Sequence, residues 1–236
     1  ASRLPRAESG GSGMRTMIRA GLAALALLCM STATAAVPAL GFQPPAPGSY
    51  RLYHILRAPD GPVLAADGKL QRLATFTTGK VTLFSFIYTY CSDPKGCPLA
   101  YETLHTLRES IRRDRALRDQ VRFVSMSFDP RNDTPDTMRL YGDPEMRDQR
   151  GVRWDFLTTR SGAELAPLLD GFGQDVSVAD EQPPGQRVPV LSHLLKVYLI
   201  DSAGSVREIY STAYLHPAVL LGDIKTLLLE RRAARP

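Results

Sequence analysis

A stretch of apolar and uncharged residues at 81–90 predicts a strand in the centre of a sheet. Neither of its faces carries a charge, as in strands that are covered on both sides. Pro98 then fits the first turn of a helix, where the missing N–H of proline needs no partner. That helix is predicted over 98–113 by four apolar residues at helical spacing: Ala100, Leu104, Leu107 and Ile111. A further largely apolar stretch at 121–128 completes the pattern of a βαβ unit with parallel strands.

The second half of the chain predicts more helices and a pair of strands. Thr134 and Pro135 suit the N-cap and first position of a short helix that ends at Tyr141. Ser161 and Glu164 have the spacing of a capping box, and four apolar residues follow on one helix face: Leu165, Leu168, Leu169 and Phe172. Apolar patterning also predicts a short strand at 154–157, paired strands at 193–200 and 205–210, and a closing helix at 217–230 with Leu220, Ile224, Leu227 and Leu228 facing inward.

Two regions lie outside this regular pattern. Residues 50–57 and 62–66, with a Pro-Asp-Gly turn at 59–61 between them, predict a short hairpin. Residues 173–192 form a long polar stretch, of the kind that is usually functional or mobile in a compact domain. The order of elements, βαβ followed by further helices and then ββα, predicts an α/β thioredoxin-like fold with an N-terminal β-hairpin and an inserted helix and loop region.

The N-terminal segment predicts export. An apolar run without charge at 20–30 is followed by small residues that match a signal-peptidase site, so 14–36 is interpreted as a signal peptide. A retained membrane anchor is the alternative, since no charge occurs from 20 to 49 and about 20 such residues can span a bilayer. Residues 1–13 lack methionine and are set aside as an expression remnant or an extended start, 37–49 is interpreted as a Pro-rich linker, and 50–236 as the domain. The predicted location is the periplasm.

The charge of the chain argues against a nucleic-acid partner. Of the net charge of +5, the leader contributes +3 from four arginines and one glutamate, which leaves +2 for the rest of the chain. No basic stripe with interleaved aromatic residues is visible, as would be expected of a nucleic-acid-binding surface.

The candidate chemistry rests on Cys91 and Cys97, the only cysteines beyond the leader. Cys91 follows the predicted central strand, where open α/β sheets place their sites. Cys97 lies at a predicted helix start, where the macrodipole favours a thiolate, although greater exposure could make Cys91 the more acidic thiol, so their roles stay open. Two thiols and an imidazole suit copper or zinc. His193 is the best third ligand, because it begins a strand predicted beside 81–90; a locally hydrogen-bonded edge histidine is the alternative.

The other polar candidates have simpler explanations. His54 is interpreted as a half-exposed strand residue, His105 as a solvated helix residue, and His216 as an N-cap. Three methionines are interpreted as core residues: Met126, Met138 and Met146. Three aspartates are assigned to turns and caps: Asp129, Asp133 and Asp136.

The chain resembles the SCO1/SenC family of copper-binding cytochrome oxidase assembly proteins. The matching stretches are Gly79–Val81, Phe86–Cys91, Cys97-Pro98, Val124–Pro130, Asp133–Pro135, Ser192-His193 and Val197–Gly204. The resemblance implies a thioredoxin-like domain that faces the periplasm or the mitochondrial intermembrane space and is commonly tethered by one N-terminal segment. It also implies that Cys91, Cys97 and His193 bind copper, and that the acceptor is the binuclear copper site of cytochrome c oxidase.

The sequence departs from the family pattern at two positions. Five residues separate Cys91 from Cys97, where the family has three, which changes how the two sulfurs approach one metal ion. Ser192 stands where the family often has an acidic residue before the histidine, and a serine orients or tunes the imidazole only weakly.

Three functions are consistent with the sequence. The first is a copper metallochaperone that transfers Cu(I) or Cu(II) from the Cys91, Cys97 and His193 site, a binding protein rather than an enzyme. The second is a thiol–disulfide oxidoreductase that keeps the cysteines of a copper acceptor reduced, with Cys91 and Cys97 as its redox pair. The third is a fold that retains only a structural disulfide. His193 discriminates among them, because only the copper site needs it.

Overall fold

The computed structural model describes residues 40–179, 182 and 188–234. These residues belong to one compact unit. The predicted remnant at 1–13 and the predicted signal or anchor at 14–36 lie outside the described residues. Within the described ranges, no helix combines the length and the apolar character that crossing a bilayer requires.

Ten strands and seven helices make up the described part of the chain. The strands are β1 (Leu56–Arg57), β2 (Pro62–Ala65), β3 (Leu70–Arg72), β4 (Val81–Ile87), β5 (Val121–Ser127), β6 (Arg153–Thr158), β7 (Val176–Val178), β8 (Leu191–His193), β9 (Val197–Ile200) and β10 (Ser205–Tyr210). The helices are α1 (Ala74–Thr77), α2 (Cys97–Ile111), α3 (Arg115–Arg118), α4 (Pro135–Tyr141), α5 (Asp143–Arg147), α6 (Gly162–Phe172) and α7 (Pro217–Ala233).

An eight-stranded mixed sheet in the order β1-β10-β9-β4-β5-β6-β2-β3 organises the domain. β4 and β5 pair in parallel, as do β5 and β6, whereas β9 runs antiparallel to β4. All seven residues of β4 are buried, which confirms the central strand predicted at 81–90, although the strand ends at Ile87. The predicted βαβ unit is confirmed by the parallel register of Val81 with Val121.

The predicted helix signals are confirmed by their caps. The hydroxyl oxygen of Thr134 accepts a hydrogen bond from the N–H of Thr137, and that of Ser161 accepts one from Glu164. His216 caps α7 through its ring nitrogen, which accepts from the N–H of Ala218 at 3.1 Å. The four predicted inward residues of α7 are buried: Leu220, Ile224, Leu227 and Leu228.

The hairpin predicted from 50–57 and 62–66 is wrong. β1 pairs with β10 at one edge of the sheet, whereas β2 pairs with β6 near the opposite edge. The turn at 59–61 therefore starts a connection across the sheet, and Asp60 holds it by accepting hydrogen bonds from Arg72 and from the N–H of Ala74. The N-terminal hairpin is instead β2–β3, joined through Gly68, whose φ of +80° suits a tight turn.

The segment 173–192 is also more regular than predicted. β7 and β8 pair antiparallel in a separate two-stranded sheet, in which Val176 lies opposite His193. His193 therefore ends β8 and does not begin a strand beside β4; that strand, β9, starts at Val197. We call this two-stranded sheet the β7–β8 ribbon. The sequence does not indicate these strands, because each of them is only three residues long.

Hydrogen bonds to α7 join the first described residues to the C-terminal part of the domain. The hydroxyls of Tyr50 and Tyr210 donate to the two oxygens of Asp223, at 2.5 and 2.7 Å. Burial and the bond to Asp223 raise the pKa of Tyr50 to about 12. The buried apolar core extends from Leu52 to Leu228. All of the buried core residues lie at or beyond Leu52, so we expect a domain that begins at residue 40 to fold by itself.

Candidate functional site

The two cysteines lie at the carboxyl end of β4. The chain leaves the sheet after Ile87, and Cys97 is the first residue of α2, with Pro98 in the first turn. Both cysteines are free thiols; Cys91 is half-buried, and the side chain of Cys97 is only 1% exposed. Both cysteines thus lie where the sequence predicted them, after the central strand and at the start of a helix, and one thiol is accessible while the other is covered.

The five residues between the cysteines form a turn that keeps Cys91 near the start of α2, although the loop is longer than in the family. Asp93 accepts hydrogen bonds from the N–H groups of Lys95 and Gly96, at 3.0 and 2.9 Å. This turn brings Gly96 beside Cys91, so that a Cβ at position 96 would lie 3.4 Å from the Cys91 sulfur. The longer loop thus still returns the Cys91 sulfur to the start of α2.

His193 reaches the cysteines from the β7–β8 ribbon. Its Nε2 lies 3.9 Å from the Sγ of Cys97. The ring packs against Phe128 and Tyr88, with centroid distances of 4.7 and 5.7 Å. Nδ1 lies 3.4 Å from the carbonyl oxygen of Leu191, and the tautomer that donates there leaves the lone pair of Nε2 on the cysteine side. The structure therefore brings His193 to the cysteines, although from a different element than predicted.

Tyr88 connects the cysteine loop to the ribbon, which the sequence did not reveal. Its hydroxyl donates to the carbonyl oxygen of Leu191 at 3.4 Å and is also within hydrogen-bonding reach of Cys91. The ring is buried and lines an open cavity of about 350 Å³ together with both cysteines. Tyr101 and Tyr141 form the far wall of this cavity. A ligand or partner group that enters the cavity meets Cys91 and Cys97 between aromatic rings.

Asp133 anchors the chain just before Cys91. Its position in the sequence predicts a turn residue, but its side chain is fully buried and accepts hydrogen bonds from both the N–H and the hydroxyl of Thr89, at 3.1 and 2.5 Å. It also accepts from the hydroxyl of Ser127 at 2.6 Å. Burial raises its pKa. Asp133 is thus a clamp that joins the end of β5 to the cysteine loop, and the turn assignment is wrong for it.

The two thiols differ in acidity. The hydrogen bond from the Cys97 thiol, together with one from the Cys97 backbone N–H, lowers the pKa of Cys91 to about 5 despite partial burial. The same contact and burial raise the pKa of Cys97 well above its usual range. The start of α2 therefore stabilises a thiolate on Cys91 rather than on Cys97, because the Cys91 sulfur receives its N–H. Of the two alternatives that the sequence left open, these contacts favour Cys91 as the more acidic thiol.

Alkylation should report this difference in the reduced, metal-free domain. We expect iodoacetamide at pH 7 to modify Cys91 first and to leave Cys97 largely unmodified, because Cys91 is a half-exposed thiolate and Cys97 a buried thiol. The rate should fall as the pH is lowered through about 5, where the Cys91 thiolate becomes protonated. Peptide mapping after short exposure measures both effects. A Cys97→Ser variant is the control, and preferential modification of Cys97 would contradict the assignment.

Two of the three candidate donor atoms are already spaced like ligands of a single metal ion. Two ligands bound to one ion at about 2.0 Å for nitrogen and 2.3 Å for sulfur lie roughly 3.5–3.9 Å apart. The 3.9 Å between Cys97 Sγ and His193 Nε2 matches that separation. Within the described residues, no three or more His, Cys, Asp or Glu side chains are already arranged to hold a metal ion.

The remaining candidates lie elsewhere. His54 is exposed, and His105 lies 3.3 Å from a carboxylate oxygen of Glu145 on the outer side of α2. Met126 and Met138 are fully buried, as expected for core residues. Asp129 accepts a hydrogen bond from Tyr90 and one from Asn132, which agrees with its assignment to the turn after β5.

Known proteins share this architecture. A solved structure of ScoI from Bradyrhizobium japonicum with copper bound is 22% identical, with a TM-score of 0.56, over 71% of this chain and 98% of that one. A SCO1/SenC family lipoprotein from Bacillus anthracis is 25% identical, with a TM-score of 0.58, over 79% of this chain and 99% of that one. These likenesses confirm the predicted thioredoxin-like α/β fold.

Sequence comparison agrees with the structural likeness. A SCO1 protein homolog from Bacillus subtilis is 28% identical over 164 residues, which cover 68% of this chain and 77% of the relative. The SCO1/SenC family model matches residues 64–229, a range that includes both cysteines, the Asp133 clamp and His193. The chain therefore belongs to the SCO1/SenC family.

Proposed function

We propose that the protein is a copper metallochaperone whose cargo is held by Cys91, Cys97 and His193. The observation that carries the proposal is the 3.9 Å approach of His193 Nε2 to Cys97 Sγ, across 95 intervening residues, beside a second thiol. A protein that needs only a disulfide has no use for an imidazole in that place. Two sulfurs and a nitrogen are a soft-to-intermediate donor set suited to copper.

The acidity of the thiols suits reversible binding. Cys91 is a thiolate at neutral pH, so copper can bind it without displacing a proton, whereas the proton of Cys97 leaves as that thiol becomes a ligand. Cys91 is also the half-exposed member, which makes it the first sulfur that an acceptor's thiolate can replace. Ligand exchange would therefore begin with replacement of the Cys91 sulfur and end with release of copper from Cys97 and His193.

The acceptor and the compartment follow from the family. We infer that the acceptor is the binuclear copper site of cytochrome c oxidase, as the family resemblance implies. The leader predicts export to the periplasm, with a cleaved signal or an anchor at 14–36. The copper-bound relative from Bradyrhizobium japonicum and the relative described as a lipoprotein support a copper cargo and a location at a membrane.

A thiol–disulfide oxidoreductase is the second candidate, favoured by the unequal thiols. The Cys91 thiolate would attack an acceptor disulfide and form a mixed disulfide while one acceptor sulfur leaves as a thiolate. Cys97, after losing its proton, would attack the Cys91 sulfur and release the second acceptor thiolate. The acceptor gains two electrons, and the pair ends as a Cys91–Cys97 disulfide. This chemistry needs no contribution from His193.

An anaerobic Cu(I) titration tests the proposal. The reduced domain from residue 40 onward, which excludes Cys29, is titrated against a competing chelator beside the Cys91→Ser/Cys97→Ser double variant. We expect one tightly bound copper per chain and none above background in the double variant. Equal copper binding by both proteins would overturn the proposed site. No binding by either would favour the oxidoreductase, and the reduction potential of the Cys91–Cys97 pair would then test that function.

A further inference from the structure

Basic side chains gather at the end of the domain opposite the cysteines. The cysteines follow the carboxyl end of β4, whereas α3 directly precedes the amino end of β5. Because β4 and β5 run parallel, these two positions lie at opposite edges of the sheet. The edge near α3 receives the end of α2, the start of β6 and one side of α7.

Contacts make the basic side chains at this edge one surface. The guanidinium of Arg118 donates to the carbonyl oxygen of Arg150 at 2.8 Å. A groove of about 240 Å³ between α3 and α7 is lined by Ala116, Lys225 and Arg232 among others. Asp114, between Arg113 and Arg115 in sequence, also lines this groove. We call this surface the basic face, and its cations are Arg113, Arg115, Arg118, Arg150, Lys225 and Arg232.

Few carboxylates offset these charges. Asp114 caps α3 through the N–H of Leu117, and Asp119 is shared between Arg115 and Arg118 at 3.6 Å each. Asp148, which accepts from the N–H of Arg150, is balanced by its own pairs with Arg108 and Arg112. Six cations against the two other carboxylates leave the basic face at +4. Four of its cations form no ion pair with any described residue: Arg113, Arg150, Lys225 and Arg232. The chain beyond the leader has a net charge of only +2, so the rest of the domain is slightly acidic and the charge is polarised along the sheet.

The N-terminal segment meets the domain at the same face. The N–H of Gly48 donates to the hydroxyl oxygen of Thr226 on α7 at 3.0 Å. Pro47 lines the groove that contains Lys225 and Arg232. The segment that contains Pro47 and Gly48 therefore lies beside Lys225 and Arg232 and next to the aliphatic side chain of Leu229, which is 44% exposed. The uncharged apolar run at 20–30 precedes this segment in sequence.

We propose that the basic face binds the surface of a bilayer that contains anionic phospholipid. Clustered arginine and lysine next to an apolar chain segment is the arrangement that anionic headgroups attract. The apolar residue in the face is aliphatic, which suits a lipid surface better than the stacking of nucleic-acid bases. The docked domain would present the cysteine cavity away from the membrane. This inference stands independently of the copper proposal, since it involves none of the same residues.

Sedimentation with vesicles tests the inference. The domain from residue 40 onward is mixed with vesicles of phosphatidylglycerol and phosphatidylcholine in equal parts, or of phosphatidylcholine alone, in low salt. We expect binding only to the first kind, and its loss in 0.5 M salt. An Arg113→Gln/Arg150→Gln/Arg232→Gln variant should partition about 100-fold less, because each basic residue near an anionic membrane contributes about fivefold.

A matched variant separates the face from the total charge. Lys95→Gln/Arg131→Gln/Arg139→Gln removes three exposed cations at the cysteine end, and its binding should stay within a few-fold of the wild type. Near-UV circular dichroism checks that both triple variants are folded. An equal loss of vesicle binding in the two variants would show that binding depends only on the net charge of the domain, which would overturn the inference. Binding of the wild type that does not depend on phosphatidylglycerol, or no binding at all, would also overturn it.

Discussion

Replacing Asp133 by alanine is expected to destabilise the domain by about 3 kcal/mol. The substitution leaves the N–H and hydroxyl of Thr89 and the hydroxyl of Ser127 without their shared acceptor in a fully buried position. The cost is less than the sum of three bonds to a carboxylate, because the hydroxyls can turn to other partners and because the burial that raises the pKa of Asp133 already penalises its charge. Urea unfolding at pH 7 measures the change.

The same substitution should also loosen the cysteine loop. Thr89 lies two residues before Cys91, so release of Thr89 allows the loop to open and exposes Cys97, which is 1% exposed in the intact domain. We expect iodoacetamide to modify both cysteines of Asp133→Ala under conditions in which it modifies mainly Cys91 in the wild type. Asp136→Ala is the control, because that side chain is exposed at the first turn of α4. Lower stability with Cys97 still protected would show that Asp133 supports the fold without holding the loop.

Loss of a single ligand should separate the contributions to copper binding. We expect Cys97→Ser to lower Cu(I) affinity by more than 100-fold, beyond the 10- to 100-fold that is typical for a residue that only supports a ligand. A buried alcohol is a poor replacement for a thiolate at a soft ion. His193→Ala should cost about 10- to 100-fold, because both thiolates remain. Competition with a chelator under anaerobic conditions measures the affinities.

Two controls keep this comparison specific. His54→Ala removes an exposed histidine elsewhere and should bind copper as the wild type does. Thiol counts of His193→Ala should equal those of the wild type, since the imidazole is not part of the redox pair. Equal copper affinity of His193→Ala and the wild type would remove His193 from the site and leave a pair of cysteines.

The elements predicted from sequence are those whose signals are local. The strand at 81–90 and the helix after Pro98 are marked by an unbroken apolar run and by clean helical spacing, and both appear within a few residues of their predicted bounds. The caps at Thr134 and Ser161 need only the next turn of chain, so they too could be found in advance.

The errors concern pairings between distant segments. Residues 50–57 and 62–66 have a turn between them and strand-like composition, but the partner of Leu56 is Val206, about 150 residues later. Nothing near β1 in sequence identifies that partner. The β7–β8 ribbon was missed for a different reason, because each of its strands has only three residues, too few for alternation to be recognised.

The candidate ligands could be predicted from their residue types, whereas the residues that hold them in place could not. Cysteine and histidine are scarce enough in this chain to be singled out, and the structure brings Cys97 and His193 together. Aspartate and tyrosine are common, and an Asp between turn residues has an adequate local explanation. Only the burial of Asp133 and its bonds to Thr89 show that it holds the cysteine loop.

The contacts between the first described residues and the C-terminal part of the domain have a consequence for synthesis of the protein. Tyr50 reaches Asp223, and Arg207 donates to the carbonyl oxygen of Leu52 while pairing with Glu230 at 2.8 Å. In a growing chain β1 therefore has no partner until residues 205–206 are made, about 150 residues after it, and loop closure over such a distance slows folding. Both cysteines are thus present in an unfinished domain well before His193, so the interval before completion is when the thiols most need protection from oxidation.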